Sequence, residues 1–444
     1  MLLYLMLITV LALLALNIFF FKKDLLSPPV IVCAVFTVSI LCAVYCNKYW
    51  NFEIHFETYA LVCGGLAIFS AASLFTELIF NQNKKITNSN SELSVIGFPP
   101  LKNIILIVLT LISSIWYAYE IISVSKKYGY VSTISQVTSI YRAAASYGVI
   151  SIENDVNVFC KAFFKLCQSI SYLSLYIFIN NIIVTKKVVK QIKYIIPCII
   201  YMFFSLFSAG RYQIIRLVSA AIFLYYILYV KHNGGFKNQY KFIIRCFLIF
   251  IAFCVFFVLS REIVGRASNS DPVYYIAFYA GGSIPLLDSF LINPPLPSDI
   301  WGKETFYAIN AFLGRYFGIK ELQYITHHEF RYSLTGINMG NVYTVFRRII
   351  YDFGYTGVII LYPLCAIFYT IFYNKIKASN VNTKIDLRIL TYAFISFGLT
   401  MQFYEEAFYS SVISVNTLTV LIMVFLLKWF LMDTSLIVNG RRIL

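Results

Sequence analysis

Residues 2–21 read LLYLMLITVLALLALNIFFF, without a single charge, and Lys22 and Lys23 follow at once. At about 1.5 Å per residue the run is about 30 Å long, the thickness of the hydrocarbon core of a bilayer. No basic residue precedes it and no small-residue cleavage site follows. It is therefore expected to persist as a helix rather than to be removed as a signal peptide. Comparable runs recur near 29–46, 57–80, 101–123, 163–184, 192–209, 212–230, 242–260, 353–373, 389–404 and 411–431. The expected fold class is all-α: a polytopic transmembrane helical protein of about eleven spans (ten to fourteen), forming one integral membrane domain over 1–444.

Composition agrees with that reading. The 444 residues are 60% hydrophobic and only 13% charged, where soluble chains carry roughly a quarter charged residues. A net charge of +16 would suggest nucleic acid in a soluble protein. Here the excess falls in the loops. Lys22 and Lys23; Lys84 and Lys85; Lys186, Lys187, Lys190 and Lys193; Lys231, Lys237 and Lys241; Lys375, Lys377, Lys384 and Arg388; and Arg441 with Arg442 share one side when the spans alternate. By the positive-inside rule that side is cytoplasmic, and no nucleic-acid partner is expected. The ten cysteines lie in or beside apolar runs and form neither a disulfide framework nor a CxxC pair.

Two expected outer segments are long, about 124–162 and 261–350, and long loops in membrane proteins carry function. The second contains VYYIAFYAGGSIPLLDSFLI (273–292). If this stretch crossed, the Lys375–Arg388 loop and the Arg441–Arg442 tail would fall outside. It is expected to lie at the interface or to dip in and out.

The outer face collects arginine. Arg211 sits in the turn SAGRYQ, and Arg216 is roughly 7.5 Å deeper at helical rise. Arg261 and Arg266 follow the span ending near 260, Arg315 is mid-loop, and Arg347 and Arg348 precede the span at 353–373. A guanidinium is always charged and grips phosphate in a bidentate fork. Arginines at span ends also snorkel to headgroups, which is the first reading for Arg266, Arg315 and Arg347 taken singly. Arg348 has a bland option in an i,i+4 pair with Asp352, and Asp352 one in the helix dipole. The depth of Arg216 and the glycine turn of Arg211 favour function. For a general base, His327, His328 and Glu329 read first as solvated loop surface, and Glu405 and Glu406 as either cavity-facing or turn-capping. No DxD, HExxH, P-loop or GxGxxG pattern occurs.

From Gly340 the chain reads GNVYTVFRRIIYDFGYTGVII, which resembles the signature of the oligosaccharide repeat-unit polymerases, the Wzy type. FYAGGSIPLLDSFL (Phe278–Leu291) and WGKETFYAINAFLGRYFG (Trp301–Gly318) are similar to that family's outer-loop segments, and SAGRYQIIRL (Ser208–Leu217) to its arginine turn. The resemblance runs in order from about 205 to 375. It implies metal-independent glycosyl transfer at the outer face of a bacterial cytoplasmic membrane, with no cofactor. Donor and acceptor would be oligosaccharides linked to undecaprenyl diphosphate. Membrane lipids, a chain-length regulator and a flippase would be the partners, and O-antigen, capsule or exopolysaccharide the product. Arg211, Arg216, Arg261 and Arg348 would form the catalytic core, with Arg266, Asn341, Tyr343, Arg347 and Asp352 binding or positioning substrate and the base undetermined. The rival readings are a lipid-linked glycan flippase or transporter, an O-antigen ligase with the same layout, and a membrane acyltransferase.

Overall fold

The computed structural model describes residues 1–82, 93–147, 155–208, 211–233, 239–261, 263–265, 271–324, 327–379, 384–432, 437–438 and 441–442. Lys84, Lys85, Lys237, Arg266 and the Gly210 of the arginine turn lie outside these residues. The helices, in chain order, are α1 (Leu2–Phe20), α2 (Pro28–Trp50), α3 (Phe56–Gln82), α4 (Pro100–Tyr128), α5 (Ile134–Tyr147), α6 (Val158–Thr185), α7 (Val188–Ser205), α8 (Tyr212–Asn233), α9 (Gln239–Leu259), α10 (Pro272–Gly281), α11 (Ser283–Ile292), α12 (Tyr307–Phe317), α13 (Phe346–Ala378), α14 (Leu387–Ile395), α15 (Phe397–Thr400) and α16 (Val415–Met432). A two-stranded antiparallel ribbon pairs β1 (Arg331–Tyr332) with β2 (Asn338–Gly340).

Ten of these helices are long and apolar enough to cross a membrane, or eleven if the bent pair α10–α11 is one span. The chain is a multi-pass membrane protein. The segment expected to span at 389–404 is instead broken into α14 and α15, together a shorter apolar stretch at Leu387–Thr400.

Contacts divide the chain into two compact units, each assembled from separate stretches of sequence. One holds Met1–Thr87, Ser270–Ser379 and Phe397–Val415. The other holds Asn88–Asn269, Asn380–Ser396 and Asn416–Leu444.

In the first unit α13 packs against α3 around an aromatic seam. Phe69 meets Tyr362 with ring centroids 5.0 Å apart, and Phe346 meets Tyr362 at 5.1 Å. Gly65 makes room for Phe346, since a Cβ there would come within 2.5 Å of the ring. Pro28 and Pro29 start α2, where their missing N–H groups would have no helical partner. Asp271 caps α10 by accepting the Val273 and Tyr274 amides. Helix α10 then runs antiparallel to α2: Trp50 Nε1 donates to the Tyr274 hydroxyl (3.2 Å) and Ser39 Oγ to the Ala280 carbonyl (2.7 Å). The lack of a Cβ on Gly281 permits backbone contact with Ala43. The axis bends by 41° between α10 and α11, and Asp288 of α11 then bonds the His55 amide. Tyr274 and Asp288 thus tie the apolar stretch 273–292 to Trp50, the last residue of α2, and to His55, the residue before α3.

Helix α13 links two polar ends of this unit. Arg347 and Arg348 lie at its start. Near its finish the Tyr373 hydroxyl donates to buried Asp24 (2.8 Å), and Lys377 lies 3.4 Å from Asp24 and 3.7 Å from Glu77. Between them Gly354 adopts φ +62°, ψ −160°, breaking the helix below its first two turns in a conformation essentially reserved for glycine.

In the second unit α4, α6 and α7 pack together, with Tyr117 stacked on Phe164 at 3.7 Å. Helix α8 joins α6 and α14, where Phe223 meets Tyr392 at 5.6 Å. Asn181 brackets the backbone of Ile96, accepting its N–H (2.8 Å) and donating to its carbonyl (2.9 Å). Lys102 is buried and donates to the Phe430 carbonyl (2.7 Å), satisfying an end carbonyl of α16.

Candidate functional site

The site in the first unit is built on the stretch 340–353. Gly340 closes the β1–β2 ribbon with φ +92°, which suits glycine. The chain then extends to Val345, whose amide bonds the Gln402 carbonyl (2.8 Å). Thr344 Oγ1 accepts the Phe346 amide (3.4 Å) as α13 begins. Arg347 and Arg348 are consecutive, so helical geometry turns them about 100° apart, and they meet different partners.

Arg347 is 1% exposed. Its guanidinium is ion-paired with Glu304 and, at 2.6 Å, with Glu329. The faces of Tyr343 and Phe290 lie 4.8 and 5.0 Å away. A buried charge is tolerated only when paired and hydrogen-bonded in this way, and losing a partner costs about 3–5 kcal/mol. His328 Nε2 lies 3.3 Å from Glu304, and its ring sits edge-on to Tyr343 at 5.8 Å.

Arg331 is fully engaged. It meets Glu329 at 2.9 Å, the Tyr343 hydroxyl at 3.2 Å, the Ser289 carbonyl at 2.5 Å and the Asn293 carbonyl at 2.6 Å. The Tyr343 hydroxyl donates to the Glu329 carbonyl (2.9 Å), and Asn341 Nδ2 reaches the His328 carbonyl at 3.5 Å.

Asp352 does not pair with Arg348. Its carboxylate accepts the Glu304 (3.0 Å) and Thr305 (2.6 Å) amides, and Thr305 Oγ1 donates to the Arg348 carbonyl (3.0 Å). The backbone that carries Glu304 is therefore pinned to the start of α13. Arg348 donates Nη1 to the Glu304 carbonyl (3.0 Å), has no carboxylate at ion-pair distance among the described residues, and buries Nε without a hydrogen-bond partner there. Two of the three arginines are neutralised by carboxylates, and Arg348 keeps donor capacity for an anion.

The electrostatics follow from the packing. Burial lowers the His328 pKa, and the charges of Arg348 and Arg347 add to this against the pull of Glu304, so the ring is held neutral. Burial pushes the Glu304 carboxyl up, but His328 and the two arginines outweigh it and hold it below the usual carboxylate range. Glu329 is lowered as well, burial being overcome by Arg347 and Arg331. Glu406, on the turn after α15, is almost wholly buried and raised to about 7, although it accepts the Tyr409 (2.8 Å) and Ser410 (3.0 Å) amides and feels Arg348.

Asn341, Tyr343, Arg347, Arg348 and Asp352 thus share one network, which also recruits Glu304 and Arg331. Arg347 is not a headgroup anchor and His328 is not solvated surface, because the loop folds back over α13 and covers them, whereas Glu329 keeps 30% of its side chain exposed and His327 is exposed, as expected of loop surface. Glu304 and Arg331 escaped the sequence reading. The alternation of Glu329 with Arg331, which puts both on one side of an extended strand, is the signal that would have pointed to the second.

Arg211, Arg216 and Arg261 belong to the second unit. Arg211 donates to the Phe257 carbonyl (2.8 Å) with its guanidinium 3.9 Å above that ring, while its own carbonyl accepts the Ile214 and Ile215 amides that open α8. It therefore joins the start of α8 to the end of α9. Arg216 is half-buried, with its guanidinium 5.4 Å from the Tyr212 ring and 5.3 Å from Phe394. Arg261 lies in the turn after α9. Among the described residues no group of three or more His, Cys, Asp or Glu side chains is placed to hold a metal ion. No family model matches this sequence, and comparisons with curated proteins and with solved structures return no match.

Proposed function

We propose that this chain polymerises oligosaccharide repeat units carried on undecaprenyl diphosphate, at the outer face of a bacterial cytoplasmic membrane. The observation that carries the reading is Arg348, a half-buried guanidinium with unspent donors beside two arginines already neutralised. Charge developing on a departing diphosphate is the main electrostatic demand of glycosyl transfer from a lipid diphosphate, and a preorganised cation meets it without reorganisation. The multi-pass helices give the lipid-linked substrates access from the bilayer. The enclosed network from Glu304 to Asp352 gives Arg348 a fixed position, which is what preorganisation requires. The stretch resembling the repeat-unit polymerases, Gly340–Ile360, is the one that carries Arg348 and Asp352.

The test is the surface glycan of a strain lacking the gene, resolved by size, with the intact gene and the Arg348→Ala and Arg348→Lys versions added back. The intact gene is expected to restore a ladder. Arg348→Ala should leave single repeat units with the protein present in the membrane, and Arg348→Lys should recover less than the intact gene because the fork is lost. Unchanged glycan length in the deletion strain would overturn the reading. An O-antigen ligase, the rival with the same layout, shares this chemistry, and the same Arg348 fits that second reading. A deletion that leaves full-length glycan on its lipid carrier instead of on lipid A core would decide for it.

A further inference from the structure

Outside the arginine network, the first unit holds a second polar pair. His55 is the last residue before α3, and Asp288 is a buried carboxylate on α11. Asp288 Oδ1 accepts the His55 amide (2.8 Å) and the Thr58 hydroxyl (2.5 Å). Its other oxygen, Oδ2, lies 2.9 Å from His55 Nδ1. The Oδ1 contacts alone fasten the start of α3, so capping accounts for one oxygen and leaves the other to the ring.

An ionised carboxylate only accepts, so Nδ1 is the nitrogen that carries the hydrogen. The lone pair is then on Nε2, on a side chain that is 63% exposed. A ring fixed by a carboxylate at Nδ1 and open at Nε2 is oriented for proton transfer. The neighbouring residue, Ser289, is where Arg331 is anchored through both the carbonyl (2.5 Å) and Oγ (3.0 Å). Consecutive residues of α11 therefore hold the imidazole and the arginine network. Phe56, beside His55, is 68% exposed and offers a ring face of the kind on which sugars stack.

We propose that His55 is the general base of this protein and that Asp288 is its positioning residue. The inference rests on the glycosyl-transfer reading and supplies the base that reading lacks. In the step, the acceptor sugar hydroxyl gives its proton to His55 Nε2. The hydroxyl oxygen uses its electron pair to form the new bond to the anomeric carbon of the donor glycan. The bond from that carbon to the diphosphate oxygen breaks, and its electron pair leaves with the diphosphate. The imidazolium afterwards releases the proton to water.

The experiment uses the full-length chain reconstituted in proteoliposomes with lipid-linked repeat units, following chain growth as a function of pH. General-base catalysis contributes about 10²–10⁴-fold. His55→Ala should lose at least on the order of 100-fold in kcat with little change in KM, and should lose the acid limb of the pH profile. Because the ring is exposed, folding should survive, and free imidazole in the buffer should recover part of the rate. Asp288→Asn should lower kcat and displace the same limb. If intact protein polymerises and His55→Ala retains its rate and its pH profile, the base assignment is wrong while the polymerase reading stands. Loss of rate with no rescue and an unchanged pH profile also overturns it, by making His55 merely structural. If intact protein makes no polymer, the glycosyl-transfer reading fails and the assigned role of His55 fails with it.

Discussion

Glu304 and Glu329 both face Arg347, yet their removal should have unequal effects. The Glu304 side chain is 6% exposed and Glu329 30%. Glu304→Ala strands a guanidinium away from water and should cost about 3–5 kcal/mol, while Glu329→Ala leaves a site that water can reach and should cost less. Thermal unfolding of the purified variants reads this order directly, and a larger loss for Glu329→Ala would contradict it. Two other groups make stability depend on pH in opposite senses. His328 lies below its ordinary value of 6.5, so the unfolded chain takes up the proton first. That contribution is intact above about 6.5 and is lost as pH falls below it. Glu406 sits at about 7 against an ordinary 4.5. The folded carboxyl keeps a proton that the unfolded chain has lost, so its contribution is full below about 4.5 and is lost as pH rises to 7. Glu406→Gln, uncharged throughout, should match the parent near pH 4 and exceed it at pH 8 by on the order of 3 kcal/mol; equal melting temperatures at pH 8 would refute this. Little of this was legible in the sequence. Arg347 and Arg348 stand out as charges, but nothing local tells that Glu304, far upstream, neutralises one and leaves the other.

At the scale of elements, hydropathy reads the long helices whether or not protein covers them, since Pro28–Trp50 and Val158–Thr185 are mostly buried and still stand out, and what it misses is a break. The ten long helices coincide with runs marked by composition alone. The segment at 389–404 has a similar composition and is broken at Ser396. Phe397, Gly398 and Leu399 are buried, and Gly398 admits the Tyr369 hydroxyl where a Cβ would stand. The stretch 273–292, expected at the interface or dipping in and out, forms the bent pair α10–α11, which runs from Tyr274 at Trp50 down α2 to Ala280 at Ser39 and meets His55 through Asp288. The break in α13 depends on a single residue. Gly354→Ala places a Cβ at φ +62°, ψ −160° and should cost about 1–3 kcal/mol. It should also straighten the join beneath Arg348, so that polymer length falls further than the loss of folded protein explains. Size-resolved glycan normalised to membrane-inserted protein measures this, and full-length product would separate the break from the site.

Across the whole molecule, the order of spans and the basic loops were legible because each is written in contiguous residues. The site was not, because it joins residues about 40 positions apart through a loop with no periodicity. Sidedness is testable with single cysteines in a cysteine-free background. Both Glu321 and Lys384 are exposed, and in chain order they precede and follow α13. Glu321→Cys should react with a membrane-impermeant maleimide on intact spheroplasts, and Lys384→Cys only after permeabilisation. The reverse pattern would place the arginine network in the cytoplasm and end the proposed chemistry. The broken helix has a consequence for how the arginines are held. Below Gly354, α13 continues through 355–378, where Tyr362 packs on Phe69 of α3 and Tyr373 bonds Asp24. Packing of this kind against neighbours is what sets the tilt of a helix. With the break at Gly354, the lower helix takes its angle from α3 while the two turns above keep theirs from Glu304 and Thr305, so the arginines point where the loop directs them and not where the span beneath would.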